Sequence, residues 1–206
     1  MIITIDGATG VGKSTVAKKV AEILDFAYVS TGRVYRTVAY CVLKEHSNEK
    51  MLSQIEDLIL TFNSENAMIA NGIEAEVLLK NESVACLAAE IGANADFKKI
   101  ISSKIIQAIG SRNAVVEGRK AGTILYPDAF LKIYLYADLD RRVERKMHEN
   151  EGRNYSETAE KLQIRDNLVT SSQADHSCAI DTSDKTWLEV VNEILSYYRR
   201  RKQTES

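Results

Sequence analysis

The residues Gly7-Ala8-Thr9-Gly10-Val11-Gly12-Lys13-Ser14, followed by Thr15, spell a complete G-x-x-x-x-G-K-[ST] loop near the start of the chain. Glycine at these places lets the backbone wrap an anion, with successive N–H groups pointing inward. Lys13 can bring a compact positive charge to β/γ-phosphates, and the Ser14 hydroxyl can sit on Mg²⁺. A helix starting there adds the positive end of its dipole. The chemistry implied is the binding of a nucleoside triphosphate. Two further groups have the same polar, turn-forming character: Ser30-Thr31-Gly32-Arg33 and Glu117-Gly118-Arg119-Lys120.

All three groups must be positioned by ordered elements, and the surrounding pattern supplies them. Met1-Ile2-Ile3-Thr4-Ile5 is a β-branched run that predicts a buried strand. Val16, Val20, Ile23 and Leu24 then recur at helical spacing with Ala17 and Ala21, while Lys18, Lys19 and Glu22 take the other face. A short strand is predicted over 26–29, and a helix from Thr31-Gly32 through Val34, Val38 and Val42. Another helix is expected over 51–60. Asn71-Gly72 between the runs 67–70 and 73–77 signals a two-residue hairpin. Helices are expected over 83–91 and 97–109, and a buried strand over 114–117 that ends in Glu117. A strand at 131–136 follows, then a charged helix capped by Asp138, and a helix over 154–168. The pattern closes with a strand at 178–181 and a helix over 187–198. Strands separated by helices imply an α/β fold with a parallel sheet covered on both faces. Ligands bind such sheets at the carboxyl ends of the strands. The phosphate loop, Ser30-Thr31-Gly32-Arg33 and Glu117-Gly118-Arg119-Lys120 all map to that edge.

With 206 residues, 45% of them apolar, and one proline, the chain can bury a core as a single domain. A formal charge of −2 gives no general drive toward nucleic acid or anionic membrane. Arg199-Arg200-Arg201-Lys202 reads as a solvated helix end rather than a nucleic-acid patch, so nucleic acid stays an open but disfavoured partner. Cys41, Cys86 and Cys178 are far apart and lack metal spacing, which predicts buried free thiols. His46, His148 and His176 are expected on the surface. No run is apolar and long enough to span a membrane, no leader is expected ahead of the first strand, and a cytoplasmic location follows.

The same residues resemble the cytidylate kinases among the nucleoside monophosphate kinases. The likeness runs over nearly the whole chain. It includes Ile5-Asp6-Gly7 leading into the loop, Ser14-Thr15-Val16-Ala17, Thr31-Gly32 with Tyr35-Arg36, and Gly118-Arg119 with Gly122-Thr123. It continues through Tyr126-Pro127-Asp128-Ala129, Lys132-Ile133, Arg165-Asp166 and Ile180-Asp181-Thr182. The resemblance implies a five-stranded parallel sheet, an acceptor-binding insertion at about residues 37–110, a mobile arginine-bearing lid near 145–156, and Mg-ATP as donor. Gly7 to Thr15 are then the ATP-binding residues, Ser14 and Glu117 the candidate Mg²⁺ ligands, and Lys13, Arg145 and Glu117 the candidate catalytic groups. Arg153 is a further lid candidate, whereas Arg141 and Arg142 read as a solvated helix face. Asp6 is expected to be structural or to act behind the residues that touch the ligand.

The departures lie on the acceptor side. Where the family carries an aspartate before Thr-Gly, this chain has Ser30. The serine facing cytosine lines up with Ala89, and the arginine nine residues later with Lys98. The second aspartate of Asp-Gly-Arg-Asp becomes Lys120. The ribose-contacting aspartate becomes Val169, and the arginine three residues later Ser172. Each unmet buried polar partner costs about 1–3 kcal/mol. Several together predict poor use of cytidylate. Arg36, Lys98, Arg119, Lys120 and Arg165 remain as a cationic acceptor site, suited to an anionic, nucleotide-like small molecule. Two alternatives stay open. Glu117 could serve as general base for an alcohol acceptor, such as a modified nucleoside, a sugar or a nucleic-acid hydroxyl. The chain could also bind nucleotide without kinase activity.

Overall fold

The computed structural model describes residues 1–44, 51–73, 81–149, 154–168 and 173–204. Strands are β1 (Ile2–Gly7), β2 (Ala27–Ser30), β3 (Leu60–Phe62), β4 (Met68–Ala70), β5 (Ala114–Gly118), β6 (Leu131–Tyr136) and β7 (Cys178–Asp181). Helices are α1 (Lys13–Leu24), α2 (Thr31–Lys44), α3 (Met51–Glu56), α4 (Glu82–Ala93), α5 (Ala95–Ile109), α6 (Leu139–Glu149), α7 (Tyr155–Leu168) and α8 (Trp187–Thr204). The main sheet is five-stranded in the order β2-β5-β1-β6-β7, parallel throughout. β3 and β4 form a separate antiparallel pair.

The central strands are apolar on both faces because helices cover both. Val115 packs with Ile3, Ile5, Val16 and Val20 beneath α1 and α8, whereas its neighbour Val116 packs with Val38, Ile91 and Ile105 beneath α2, α4 and α5. This alternation is the two-residue period of a strand read out in two cores. Asn81 caps α4 by accepting the Ser83 N–H at 2.8 Å. Asn94 caps α5 by accepting the N–H groups of Asp96 and Phe97.

Two devices press connections against the ends of the sheet. A Cβ added at Gly7 would lie 2.2 Å from the Leu135 carbonyl oxygen, so only glycine lets β1 run into the loop there. Beyond β5, residues Ala121–Leu125 form a single π-turn, closed by the Tyr126 N–H on the Ala121 carbonyl at 2.8 Å. The buried Asp6 carboxylate receives the N–H groups of Ala121 and Gly122, each at 2.7 Å. Asp6 is therefore an anchor for that turn. Burial raises its pKa, against the lowering effect of these two hydrogen bonds and of Lys13.

Several expectations are corrected. The helix predicted over 51–60 stops at Glu56, and residues 60–62 instead pair with 68–70. Ile59 is drawn into this pairing from both sides: its N–H donates to the Asn71 side chain and its carbonyl accepts the Asn71 N–H, both at 2.8 Å. The Asn71-Gly72 turn does form, with φ of 49° and 67° and a bridge from Ala70 to Ile73. The rest of the predicted second arm lies outside the described residues. The second strand is Ala27–Ser30, one residue later than expected. Ile23, placed on the inner face of the first helix by its spacing, is 55% exposed. The cysteines are free but none is buried, and Cys86 is exposed on α4. His148 and His176 are exposed as expected, and His46 lies outside the described residues. Among the described residues no helix is long and apolar enough to cross a membrane.

Candidate active site

A cleft of about 1160 Å³ opens over the carboxyl ends of the strands, and the phosphate loop forms its floor. The loop leaves β1 and enters α1 through Gly12, whose φ of 90° is left-handed. The Lys13 ammonium donates to the Ala8 carbonyl at 2.6 Å, within its own loop. Burial pushes its pKa down to about 8; Arg119 acts in the same direction, while Glu117 and Asp6 oppose it. The Ser14 hydroxyl donates to Glu117 Oε1 at 3.0 Å, and the Ser30 hydroxyl donates to the same oxygen. Glu117 is 4% exposed at the end of β5. A hydroxyl and a carboxylate this close, both at the phosphate loop, are hard oxygen donors of the kind Mg²⁺ accepts together with substrate phosphates. The residues present fit that ion.

On the β2–β5 side, the cleft is lined by Arg36, Lys98, Arg119, Lys120 and Arg165, with Ala89 among them. Lys98, Lys120 and Arg165 form no ion pair with a described residue. Arg119 is engaged: it donates to Thr9 Oγ1 at 2.5 Å and to the Arg165 carbonyl at 2.8 Å, and lies 3.7 Å from Asp166. Burial lowers its pKa, with Asp166 opposing and Arg165, Arg36 and Arg142 adding to the effect.

On the β6–β7 side, the lining includes Arg145, Lys146, His148, Thr182, Lys185 and Trp187. Arg145 spends its guanidinium on the Thr182 hydroxyl at 3.2 Å and on the carbonyls of Thr182 and Ser183. Arg141 is exposed and pairs with Glu144 and Asp184, in keeping with a solvated face. Arg142 is not solvated. Its side chain is 13% exposed and pairs with Asp166 at 2.5 Å, and it also donates to the Thr9 carbonyl at 3.3 Å. Helical periodicity placed it beside Arg141 in the sequence; the turn of α6 points it into the phosphate loop instead.

The cleft thus gathers Thr9 through Thr15 with Glu117, Arg145 and the five cations Arg36, Lys98, Arg119, Lys120 and Arg165. Gly7 and Ala8 lie behind its wall, Gly7 against Leu135. Arg153, Val169 and Ser172 lie outside the described residues. The sequence places Ser30 at the ligand-binding edge but gives it no role, and Asp166, Thr182 and Trp187 are not among the predicted site residues. Asp166 directly follows Arg165, so adjacency to that motif was the available signal. Trp187 had none beyond being the chain's single tryptophan.

A parallel sheet of this order, with G-x-x-x-x-G-K-S between β1 and α1 and a carboxylate at the end of the neighbouring β5, defines a P-loop phosphotransferase. The sequence model of the cytidylate kinase family matches residues 3–200. The cytidylate kinase of Mycoplasma genitalium is 30% identical over 204 residues, covering 94% of this chain and 94% of its own length. That of Ralstonia nicotianae is 28% identical over 213 residues, covering 97% of this chain and 92% of its own. The chain belongs to the cytidylate kinase family and is an ATP-dependent kinase. Among solved structures, a gluconokinase from Sinorhizobium meliloti aligns at a TM-score of 0.54 with 15% identity, covering 98% of this chain and 94% of that one. A shikimate kinase from Bacteroides thetaiotaomicron aligns at 0.50 with 14% identity, covering 97% and 98%. At such identities the likeness carries the fold alone.

Proposed function

We propose that this kinase transfers the γ-phosphoryl group of Mg-ATP to an anionic, nucleotide-like acceptor that is not efficiently cytidylate. The observation that carries this reading is the asymmetry of the cleft. Lys13 and Ser14 of the phosphate loop meet Glu117 on one side, while Lys98, Lys120 and Arg165 line the acceptor side with no described anionic partner. Cations in that state suit an acceptor that brings its own negative charge. Ala89 and Lys120 offer no carboxylate or hydroxyl to a cytosine amino group.

Loop N–H groups and Lys13 would hold the donor phosphates, and Ser14 and Glu117 would hold the metal. When bound, Mg²⁺ would offset charge on the phosphate oxygens. Arg119 and Arg165 orient the acceptor against the loop, and Arg145 is the lid cation that can leave the Thr182 and Ser183 carbonyls for the transferring group. Residues 37–110 form the acceptor-binding unit and 145–156 the lid in this reading. Glu117 takes the metal-side role rather than that of a base, since its Oε1 is shared by the Ser14 and Ser30 hydroxyls.

The test is ADP release from Mg-ATP across a panel of nucleoside monophosphates, nucleosides and sugar phosphates. Turnover with a phosphorylated acceptor other than cytidylate is expected. Efficient cytidylate turnover would overturn the acceptor assignment, and product carried on a hydroxyl would restore the alcohol-kinase alternative. Lys13→Ala should cut transfer by about 10²–10³-fold, the scale of losing one preorganised charge partner.

A further inference from the structure

β2 and β5 run in parallel register with Ser30 beside Glu117. The Ser30 hydroxyl donates to Glu117 Oε1, the oxygen that also takes the Ser14 hydroxyl at 3.0 Å. Glu117 lines the cleft although almost wholly withdrawn from water, and its Oε2 has no hydrogen bond to a described residue. Two hydroxyls thus hold one carboxylate oxygen and leave the other for the cleft.

We propose that Ser30 is a positioning residue for the divalent-cation site: its hydroxyl fixes the Glu117 carboxylate so that Oε1 stays on Ser14 and Oε2 is left for the cation side. This rests on the assignment of Ser14 and Glu117 to the metal. Glutamate has one more rotatable bond than aspartate, and its carboxylate at a strand end must be held to serve a metal. A hydroxyl beside it supplies the restraint without a second negative charge. Asp6, the other buried carboxylate here, is taken up by the Ala121 and Gly122 N–H groups, so of the two groups assigned to the metal only Glu117 is charged and cation affinity depends on how well it is aimed. Partners behind metal ligands contribute about 10–100-fold to affinity.

The readout is binding, independent of any acceptor. ADP binding to wild type and variants is measured by calorimetry over a Mg²⁺ titration, with Mn²⁺ paramagnetic resonance as a direct count of bound cation. In Ser30→Ala, the Mg²⁺ concentration needed to enhance ADP binding should rise about tenfold. Metal-free ADP affinity should stay within about twofold of wild type, since Ser30 acts only through the metal side. Ser30→Thr, which keeps the hydroxyl, should bring the Mg²⁺ requirement back toward wild type. If Ser30→Ala leaves that requirement unchanged while Glu117→Gln raises it, the Ser30 role is overturned and the metal assignment stands. If neither variant moves it, the metal assignment falls and the Ser30 role with it. Equal losses with and without Mg²⁺ that Thr does not restore would also overturn the proposal, as the mark of a packing defect.

Discussion

Lys13 is the residue with the most to gain from its ligand. Its ammonium rests on the Ala8 carbonyl, and burial pushes its pKa down to about 8. Triphosphate oxygens favour the charged amine and must raise that value. Binding above pH 8 therefore takes up a proton, and affinity falls as pH rises, by up to about tenfold per unit until the bound-state pKa is reached. Mg-ADP affinity measured from pH 6.5 to 9.5 should be flat below the break and fall above it. Lys13→Met should bind weakly with no break. A wild-type affinity that stays level through pH 9.5 would assign the phosphate contact to another cation.

The scale of elements is set by how connections are tied to strand ends. The π-turn Ala121–Leu125 hangs from the Asp6 carboxylate by two N–H groups. Asp6→Ala would leave both donors buried without partners, at about 1–3 kcal/mol each. Urea unfolding should show a loss of about 2–6 kcal/mol, the sum of those two costs, and a loss below 1 kcal/mol would mean that water or another group replaces the carboxylate. The strands and long helices were legible in the sequence because their apolar residues keep one period over many residues, as at Val34, Val38 and Val42. The stretch 51–62 was not. Leu52, Ile55 and Ile59 have helical spacing, yet Ile59 is claimed by Asn71, twelve residues away in sequence. Periodicity cannot register a partner supplied by tertiary structure. Arg142 was misread for a related reason: its position on the helix was correct, but what α6 leans on lies 133 residues earlier, at Thr9.

Over the whole molecule, the sheet order separates two working sides. Arg36, Lys98, Arg119, Lys120 and Arg165, from the helices and loop around β2 and β5, line one side of the cleft; Arg145, Lys185 and Trp187, from the segments that follow β6 and β7, line the other, and the phosphate loop after β1 lies between. Trp187, the chain's only tryptophan, is 49% exposed on that second wall. Its emission should change and saturate as Mg-ADP is added, and should respond far less to inorganic triphosphate, which lacks a base. An unchanged spectrum under saturating Mg-ADP would put the nucleoside away from this wall. The loop and Glu117 were legible because each sits in a contiguous motif, and the scattered cations Arg36, Lys98, Arg119, Lys120 and Arg165 as a set only through the resemblance to the family. The network around Asp166 was not, because it is assembled from Thr9, Arg119, Arg142 and Asp166, which only the folded sheet brings together.

Gly10 sets how closely α6 can approach the loop. A Cβ there would sit 3.0 Å from that of Arg142, so the helix rests directly on the loop's backbone. Any side chain at position 10 would press on the backbone of α6 as well as strain a left-handed φ of 86°, so the fit of helix to loop depends on a missing methyl group.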